Sequence, residues 1–179
     1  MPFNYLLLSG CLLPNKTSHK EDGVEVRLEP ESGETVLFFH IDDQSNPNCR
    51  LRQLLRLDQA GMKMCDLIVF YAKDSTRVLC FVELKGNKIA NAKEQVKNTY
   101  IHFNKKLKDS GLSGEFTSKC YIVSDGSVPQ EYDKYKEELK SIFGEGNYHI
   151  SRNSDLGNFL RGERYQPKGK NQRNKNKGK

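Results

Sequence analysis

Two carboxylates and a lysine close two apolar segments in the middle of the chain. Asp66 precedes one β-branched and aromatic run, and Glu83 and Lys85 end the next run. The link between the runs, residues 73–76, is polar and typical of a tight reversal, so the pattern predicts a β-hairpin. If the turn is centred in that link, Asp66 lies directly opposite Glu83.

The chemistry expected of this arrangement is that of a divalent metal site. Opposed residues on antiparallel strands have Cβ atoms roughly 4.5–5.5 Å apart, and alternate residues share a face, so Lys85 joins Asp66 and Glu83. Two carboxylates about 4 Å apart repel by about 4 kcal/mol at an effective dielectric near 20, and therefore require a cation. Lys85 supplies one. Mg²⁺ or Mn²⁺, bound by Asp66, Glu83, the Leu84 carbonyl and waters, would supply a stronger one.

The order of these residues, an Asp, then a β-turn, then Glu-x-Lys, resembles the motif of the PD-(D/E)xK nuclease superfamily. Cys65 stands where that motif has a proline. The resemblance covers the pattern of residues 63–150. It implies catalytic roles for Asp66, Glu83 and Lys85, with the first two as metal ligands. Gln95, ten residues past Lys85, resembles a helix glutamine that contacts the site or substrate in several branches of the superfamily. The alternative for Gln95 is a solubilising surface position.

Two further acidic features bear on the resemblance. Members of the superfamily often carry another acid before the central Asp, and Glu34 and Asp58 are the candidates in this chain. A second Glu-Leu-Lys triplet begins at Glu138, inside a charged segment that reads as a helix without a partner strand. We expect that second copy to be a solvated face.

The surrounding elements predict an α/β fold. After the hairpin, apolar residues recur at helical spacing and indicate one long amphipathic helix, with Ile89, Ala92, Val96, Tyr100, Phe103 and Leu107 on its buried face. Strands at 24–28 and 35–41 suggest an N-terminal hairpin over 23–41, and a strand, a helix and a strand follow at 119–124, 130–143 and 147–150. Residues 49–57 read equally as a short helix or a strand.

These elements and the resemblance together imply a restriction-endonuclease-like sandwich with a mixed central β-sheet flanked by helices. The length of 179 residues, with 36% hydrophobic composition, suits one core. We expect a single nuclease-like domain over residues 1–160, with its catalytic core at 63–150, followed by a tail at 161–179.

The tail is strongly basic. Residues 161–179 contain eight Lys or Arg and one acid, Glu163, so the rest of the chain is close to neutral. Residues 168–179 contain no apolar side chain and are expected to be disordered in isolation. We expect phosphate binding, largely independent of sequence, by six residues: Lys168, Lys170, Arg173, Lys175, Lys177 and Lys179. The alternative is a solubilising tail.

Other classes of function find little support in the sequence. The five cysteines show no metal-finger spacing, which favours a reduced, cytoplasmic protein, and no apolar run approaches the roughly 20 residues that cross a bilayer. Nucleotide-binding and zinc-protease motifs are absent, and the four histidines are expected to be scattered without ligand spacing.

The sequence therefore predicts a Mg²⁺- or Mn²⁺-dependent endonuclease or exonuclease. We expect DNA as its partner, with weak sequence specificity or recognition of structure, no membrane, and a homodimer as an open possibility. The alternative is a non-catalytic nucleic-acid-binding or scaffold protein that retains the fold.

Overall fold

The computed structural model describes residues 2–43, 45–46, 49–59, 61–85, 89–111, 114–124 and 131–162. Five helices and eight strands follow one another in these residues. In chain order they are α1 (Pro2–Leu8), β1 (Leu12–Leu13), β2 (Ser18–Glu21), β3 (Val24–Arg27), β4 (Thr35–His40), α2 (Leu51–Leu54), β5 (Leu67–Lys73), β6 (Thr76–Lys85), α3 (Ile89–Asp109), β7 (Thr117–Ser124), α4 (Tyr132–Phe143), β8 (Tyr148–Ser151) and α5 (Gly157–Arg161).

Six strands form a mixed sheet in the order β1-β4-β5-β6-β7-β8. The pairs from β1 to β6 are antiparallel, whereas β6–β7 and β7–β8 are parallel. Parallel neighbours need a crossover connection, and here α3 and α4 lie on those connections. The expected α/β class, with a mixed central sheet flanked by helices, is confirmed.

The central hairpin has the predicted register. Leu67 pairs with Val82 and Lys73 with Thr76, so the next position along places Asp66 opposite Glu83. Asp74 in the turn has a φ of 52°, a left-handed conformation that Asp tolerates better than most residues. The short turn at one end of the hairpin therefore sets the strand register, and this register places Asp66 opposite Glu83 at the other end.

Both faces of the sheet are covered. The core on one face combines strand and helix residues, among them Phe39, Ile68, Phe81, Ala92, Val96, Phe103 and Leu139. The core on the other face lies under β3 and α5 and includes Val24, Val26, Val69, Cys80, Tyr121 and Leu160. Strands buried on both sides read as continuous apolar runs, which is why β5 and β6 were recognisable.

The expected N-terminal hairpin over 23–41 is wrong in its pairing. The strands themselves exist, but β3 pairs with β2 in a separate two-stranded sheet, and β4 pairs with β1 and β5. Asp22 and Gly23 link β2 to β3, both with positive φ, as a tight Asp-Gly hairpin turn requires. Strand β2 has the polar sequence Ser-His-Lys-Glu and lacks the β-branched pattern that marks most strands.

The structure decides the ambiguous segment 49–57 in favour of a short helix, and it places the first residue of the expected tail within the fold. Within 49–57 the structure has a single helical turn, α2. Arg161, which the sequence analysis assigns to the tail, is the last residue of α5 and donates a hydrogen bond to Glu34. Residues 163–179, including the six expected phosphate-binding residues, lie outside the described part of the chain.

No helix among the described residues has the length and apolarity needed to cross a membrane.

Candidate active site

The carboxylate pair, Asp66 and Glu83, lies where β5 begins and β6 ends. The backbone N–H of Leu84 donates to Asp66 Oδ2 at 2.7 Å, and the backbone N–H of Asp66 donates to Glu83 Oε2 at 3.2 Å. Each carboxylate thus accepts a hydrogen bond from the strand that carries the other. Lys85 Nζ lies 2.9 Å from Glu83 Oε1. The antiparallel register therefore brings together the three predicted residues.

When both carboxyls are ionised, this group carries more negative than positive charge in a buried setting. The Glu83 side chain is 0% exposed and Asp66 is 4% exposed. Burial raises the pKa of both carboxyls, and the Asp66 charge raises that of Glu83 further. Burial alone would lower the pKa of Lys85, but its contact with Glu83 outweighs that effect and the pKa of Lys85 lies above its ordinary value. One ammonium does not balance two carboxylates.

The donor set suits a hard divalent cation. Glu83 Oε1 is buried and makes no well-formed hydrogen bond to any described residue, although Lys85 lies close to it. Carboxylate oxygens are the ligands that Mg²⁺ and Mn²⁺ prefer. Asp66 and Glu83 could therefore hold such an ion.

Helix α3 fixes the backbone just before the carboxylate pair. Gln95 Nε2 donates to the Met64 carbonyl at 2.8 Å, and the Cys65 backbone N–H donates to Thr99 Oγ1 at 2.9 Å. Thr99 and Gln95 lie one helical turn apart, on the flank of α3 that faces the hairpin end. Gln95 is 8% exposed, so the surface alternative for it is wrong. In this geometry it positions the segment leading to Asp66, and its contact with substrate stays a prediction.

Glu34 does not join the carboxylate pair. Its carboxylate accepts hydrogen bonds from Arg161 and from the Tyr71 hydroxyl. Tyr71 lies five residues beyond Asp66, or roughly 16 Å along an extended strand. Glu34 is thus part of an ion pair at the opposite end of the sheet. Asp58, the other candidate, is an exposed residue following α2.

Two acids that the sequence analysis missed act on Asp66 instead. The negative charges of Glu21 and Asp42 both contribute to its raised pKa. Asp42 comes near through pairing of β4 with β5, because the Ile41 N–H donates to the Asp66 carbonyl at 2.9 Å. Register across a long-range strand pair is the signal that would have found it. Glu21 lies at the end of the unrecognised strand β2.

The expectation of scattered histidines is wrong for two of the four. The rings of His19 and His40 lie 4.5 Å apart between centroids, with Glu21 beside both. They come from β2 and β4, strands of two different sheets, so no local spacing reveals them. The second Glu-Leu-Lys triplet is helical, as expected, and Glu138 there pairs with Lys93 of α3.

Comparisons with known proteins leave the family open. No family model matches this chain, and neither a curated protein nor a solved structure does. The function of this chain therefore has to be inferred from the motif and from the geometry around Asp66 and Glu83.

Proposed function

We propose that this chain is a Mg²⁺- or Mn²⁺-dependent nuclease that hydrolyses DNA phosphodiester bonds. The observation that carries the proposal is the opposition of two buried carboxylates, Asp66 and Glu83, with Lys85 Nζ 2.9 Å from Glu83. Such a group has a deficit of positive charge that a divalent cation can offset, and the bound cation could in turn attract a phosphate substrate.

The roles follow from position. Asp66 and Glu83 are the residues that would hold the ion. When bound, a divalent ion in such a site lowers the pKa of its water and offsets charge developing on the phosphate. Lys85 is 30% exposed at its side chain, so its ammonium can reach both Glu83 and a phosphate that approaches from solvent. It would orient the water or the phosphate.

Hydrogen bonds hold Asp66 and the residues before it in fixed positions, which favours a catalytic role over a chance grouping of charged residues. The Leu84 N–H fixes Asp66, and α3 holds the two residues before it through Gln95 and Thr99. Catalytic groups work best when their positions are set before substrate binds. The antiparallel strands β4, β5 and β6, followed by a helical crossover to parallel β7, also suit the restriction-endonuclease-like sandwich that the motif implies.

DNA is the proposed substrate, recognised mainly through its backbone or shape. The described residues pack around one central sheet and include no second domain that could read base edges. Phosphate contacts position a protein on nucleic acid without conveying sequence. The six basic residues at 168–179 would add such contacts.

Cleavage assays on the purified protein test the proposal directly. Single-stranded, duplex and branched DNA would be incubated with Mg²⁺ or Mn²⁺ and the products resolved by size. We expect Glu83→Gln and Lys85→Ala to lower the cleavage rate by about 100-fold or more, since the first weakens the ligand set of the ion and the second removes a positive charge near the phosphate. The exposed face of α4 provides matched controls, Glu137→Gln and Lys140→Ala, which should cleave like wild type.

Two results would reject the nuclease proposal. Equal cleavage by wild type and Glu83→Gln would identify a contaminant. DNA binding without metal-dependent cleavage would favour the alternative, a non-catalytic nucleic-acid-binding or scaffold protein.

A further inference from the structure

A second cluster of potential ligands lies under the β2–β3 hairpin. His19 pairs with Val26 and Glu21 with Val24, and both valines are buried in the core between this hairpin and the main sheet. Paired residues on antiparallel strands share a face. His19 and Glu21 therefore lie on the hairpin face that turns towards the main sheet, where the side chain of His19 is 16% exposed and that of Glu21 is 41% exposed.

His40 completes the cluster from the main sheet. It ends β4 opposite Leu67, whose side chain belongs to the same core as Val24 and Val26. His40 Nε2 lies 3.7 Å from Glu21 Oε2, and His19 Nε2 lies 3.6 Å from the same oxygen. These three ligand atoms, from two separate sheets, all lie within 4.8 Å of one another.

The polar atoms of the cluster are not satisfied by one another. His19 Nε2 and Glu21 Oε2 are buried, and neither has a hydrogen-bond partner among the described residues. Separations of 3.6 and 3.7 Å are too long for hydrogen bonds, and buried polar atoms without partners are costly. Ligands at about 2.0–2.1 Å from a tetrahedral ion are about 3.3 Å apart, close to the 3.6 and 3.7 Å that separate Glu21 Oε2 from the two histidine nitrogens.

The other nitrogen of His40 faces a carboxylate. His40 Nδ1 lies 3.7 Å from Asp43 Oδ2, and Asp43 is itself fixed by the Ser45 hydroxyl at 2.6 Å and the Ser45 N–H at 3.0 Å. A metal-bound histidine usually presents its second nitrogen to a carboxylate, which orients the ring and increases its basicity.

We propose that His19, Glu21 and His40 form a second metal site, distinct from the carboxylate pair, for a transition-metal dication of the Zn²⁺ class. Two imidazole nitrogens and one carboxylate oxygen favour such ions over Mg²⁺, and three protein ligands leave a fourth position for water. The site does not depend on the proposed nuclease activity. It lies near the carboxylate pair, since His40 pairs with Leu67, the residue that follows Asp66.

Binding of Co²⁺ to the Glu83→Gln protein tests the site, because that background impairs the other candidate metal site. We expect one Co²⁺ per chain, with visible d–d absorption that Zn²⁺ abolishes by displacement. His19→Gln and His40→Gln should each weaken binding about 100-fold or more, and Asp43→Asn about 10-fold. His102→Gln is the matched control and should bind like its parent, since His102 contacts the Leu55 carbonyl.

A second measurement needs no substitution in the cluster. In nitrogen-detected spectra of the wild-type chain, Zn²⁺ should shift the Nε2 resonances of His19 and His40 and leave those of His102 and His149 in place. Unshifted His19 and His40 resonances would overturn the proposal. So would Co²⁺ binding that the two cluster variants do not weaken, or a sulfur-to-cobalt charge-transfer band, which would assign the ion to cysteine.

Discussion

The side chains of Glu34 and Glu83 are both 0% exposed and lie at opposite ends of the same sheet, yet their surroundings differ in kind. Glu34 accepts two hydrogen bonds from Arg161, one from the Tyr71 hydroxyl and one from the Glu31 N–H. The hydrogen bond from Arg161 is the largest influence on the Glu34 carboxyl and holds its pKa well below the ordinary range. This carboxylate is fully matched by donors from the chain itself.

Glu83 lacks that match. It accepts one backbone hydrogen bond, contacts one half-exposed lysine and lies opposite a second carboxylate, Asp66. Its pKa is raised by burial, the opposite direction from Glu34. Burial of an acid is therefore not by itself a sign of function. A buried acid whose charge the fold leaves unbalanced is the one suited to an external cation.

The largest expected effect is on stability at the Glu34 end. Glu34→Ala leaves Arg161, whose side chain is 11% exposed, without its main partner, and breaking a buried pair should lower the free energy of unfolding by about 3 kcal/mol. Urea unfolding at neutral pH measures this. Glu25→Ala, at an exposed position on β3, is the control and should change stability by less than about 0.5 kcal/mol. If Glu34→Ala were as stable as Glu25→Ala, Glu34 would not have the structural role assigned to it.

The two ends also differ in how far the sequence reveals them. The Asp66–Glu83 pairing could be predicted because two apolar runs and one short turn fix the register locally. Glu34 is a candidate upstream acid in the sequence because members of the superfamily often carry one before the central Asp. Its actual partner, Arg161, is 127 residues away, and no local pattern predicts that contact. The buried face of α3 followed from its helical period, whereas its hydrogen bonds to residues 64 and 65 depend on tertiary packing.

The histidine cluster could not be predicted from local sequence patterns either. Predicting it required strand β2, which has no apolar signature, and its packing over the end of β4. The Asp22-Gly23 turn was the available signal, since such dipeptides favour a two-residue hairpin. Recognising it would have placed His19 and Glu21 on the strand face that turns towards the sheet.

A smaller effect is expected from the support that α3 gives to the Asp66 end. Thr99→Val removes the acceptor of the buried Cys65 N–H and should lower the free energy of unfolding by about 2 kcal/mol, the cost of an unsatisfied buried donor. Thr99→Ser keeps the hydroxyl, loses one methyl group and should cost about 1 kcal/mol. Thermal or urea unfolding distinguishes them. A valine variant as stable as wild type would mean that this hydrogen bond does not help to hold Asp66 in place.

The smallest effect has the opposite sign and tests the comparison most directly. Glu83→Gln removes a carboxyl whose ionisation is opposed by burial and by Asp66, while the glutamine oxygen can still accept from the Asp66 N–H, and Lys85 stays partly solvated. Replacing a poorly matched buried charge by a neutral group should therefore increase the free energy of unfolding by about 1 kcal/mol in metal-free buffer, raising the unfolding midpoint by a few degrees. The same change at Glu34, Glu34→Gln, should lower stability, because Arg161 then loses its charged partner. If both glutamine variants were destabilised to the same extent, Glu83 would be a structural residue like Glu34, and the charge imbalance on which the metal site depends would be absent.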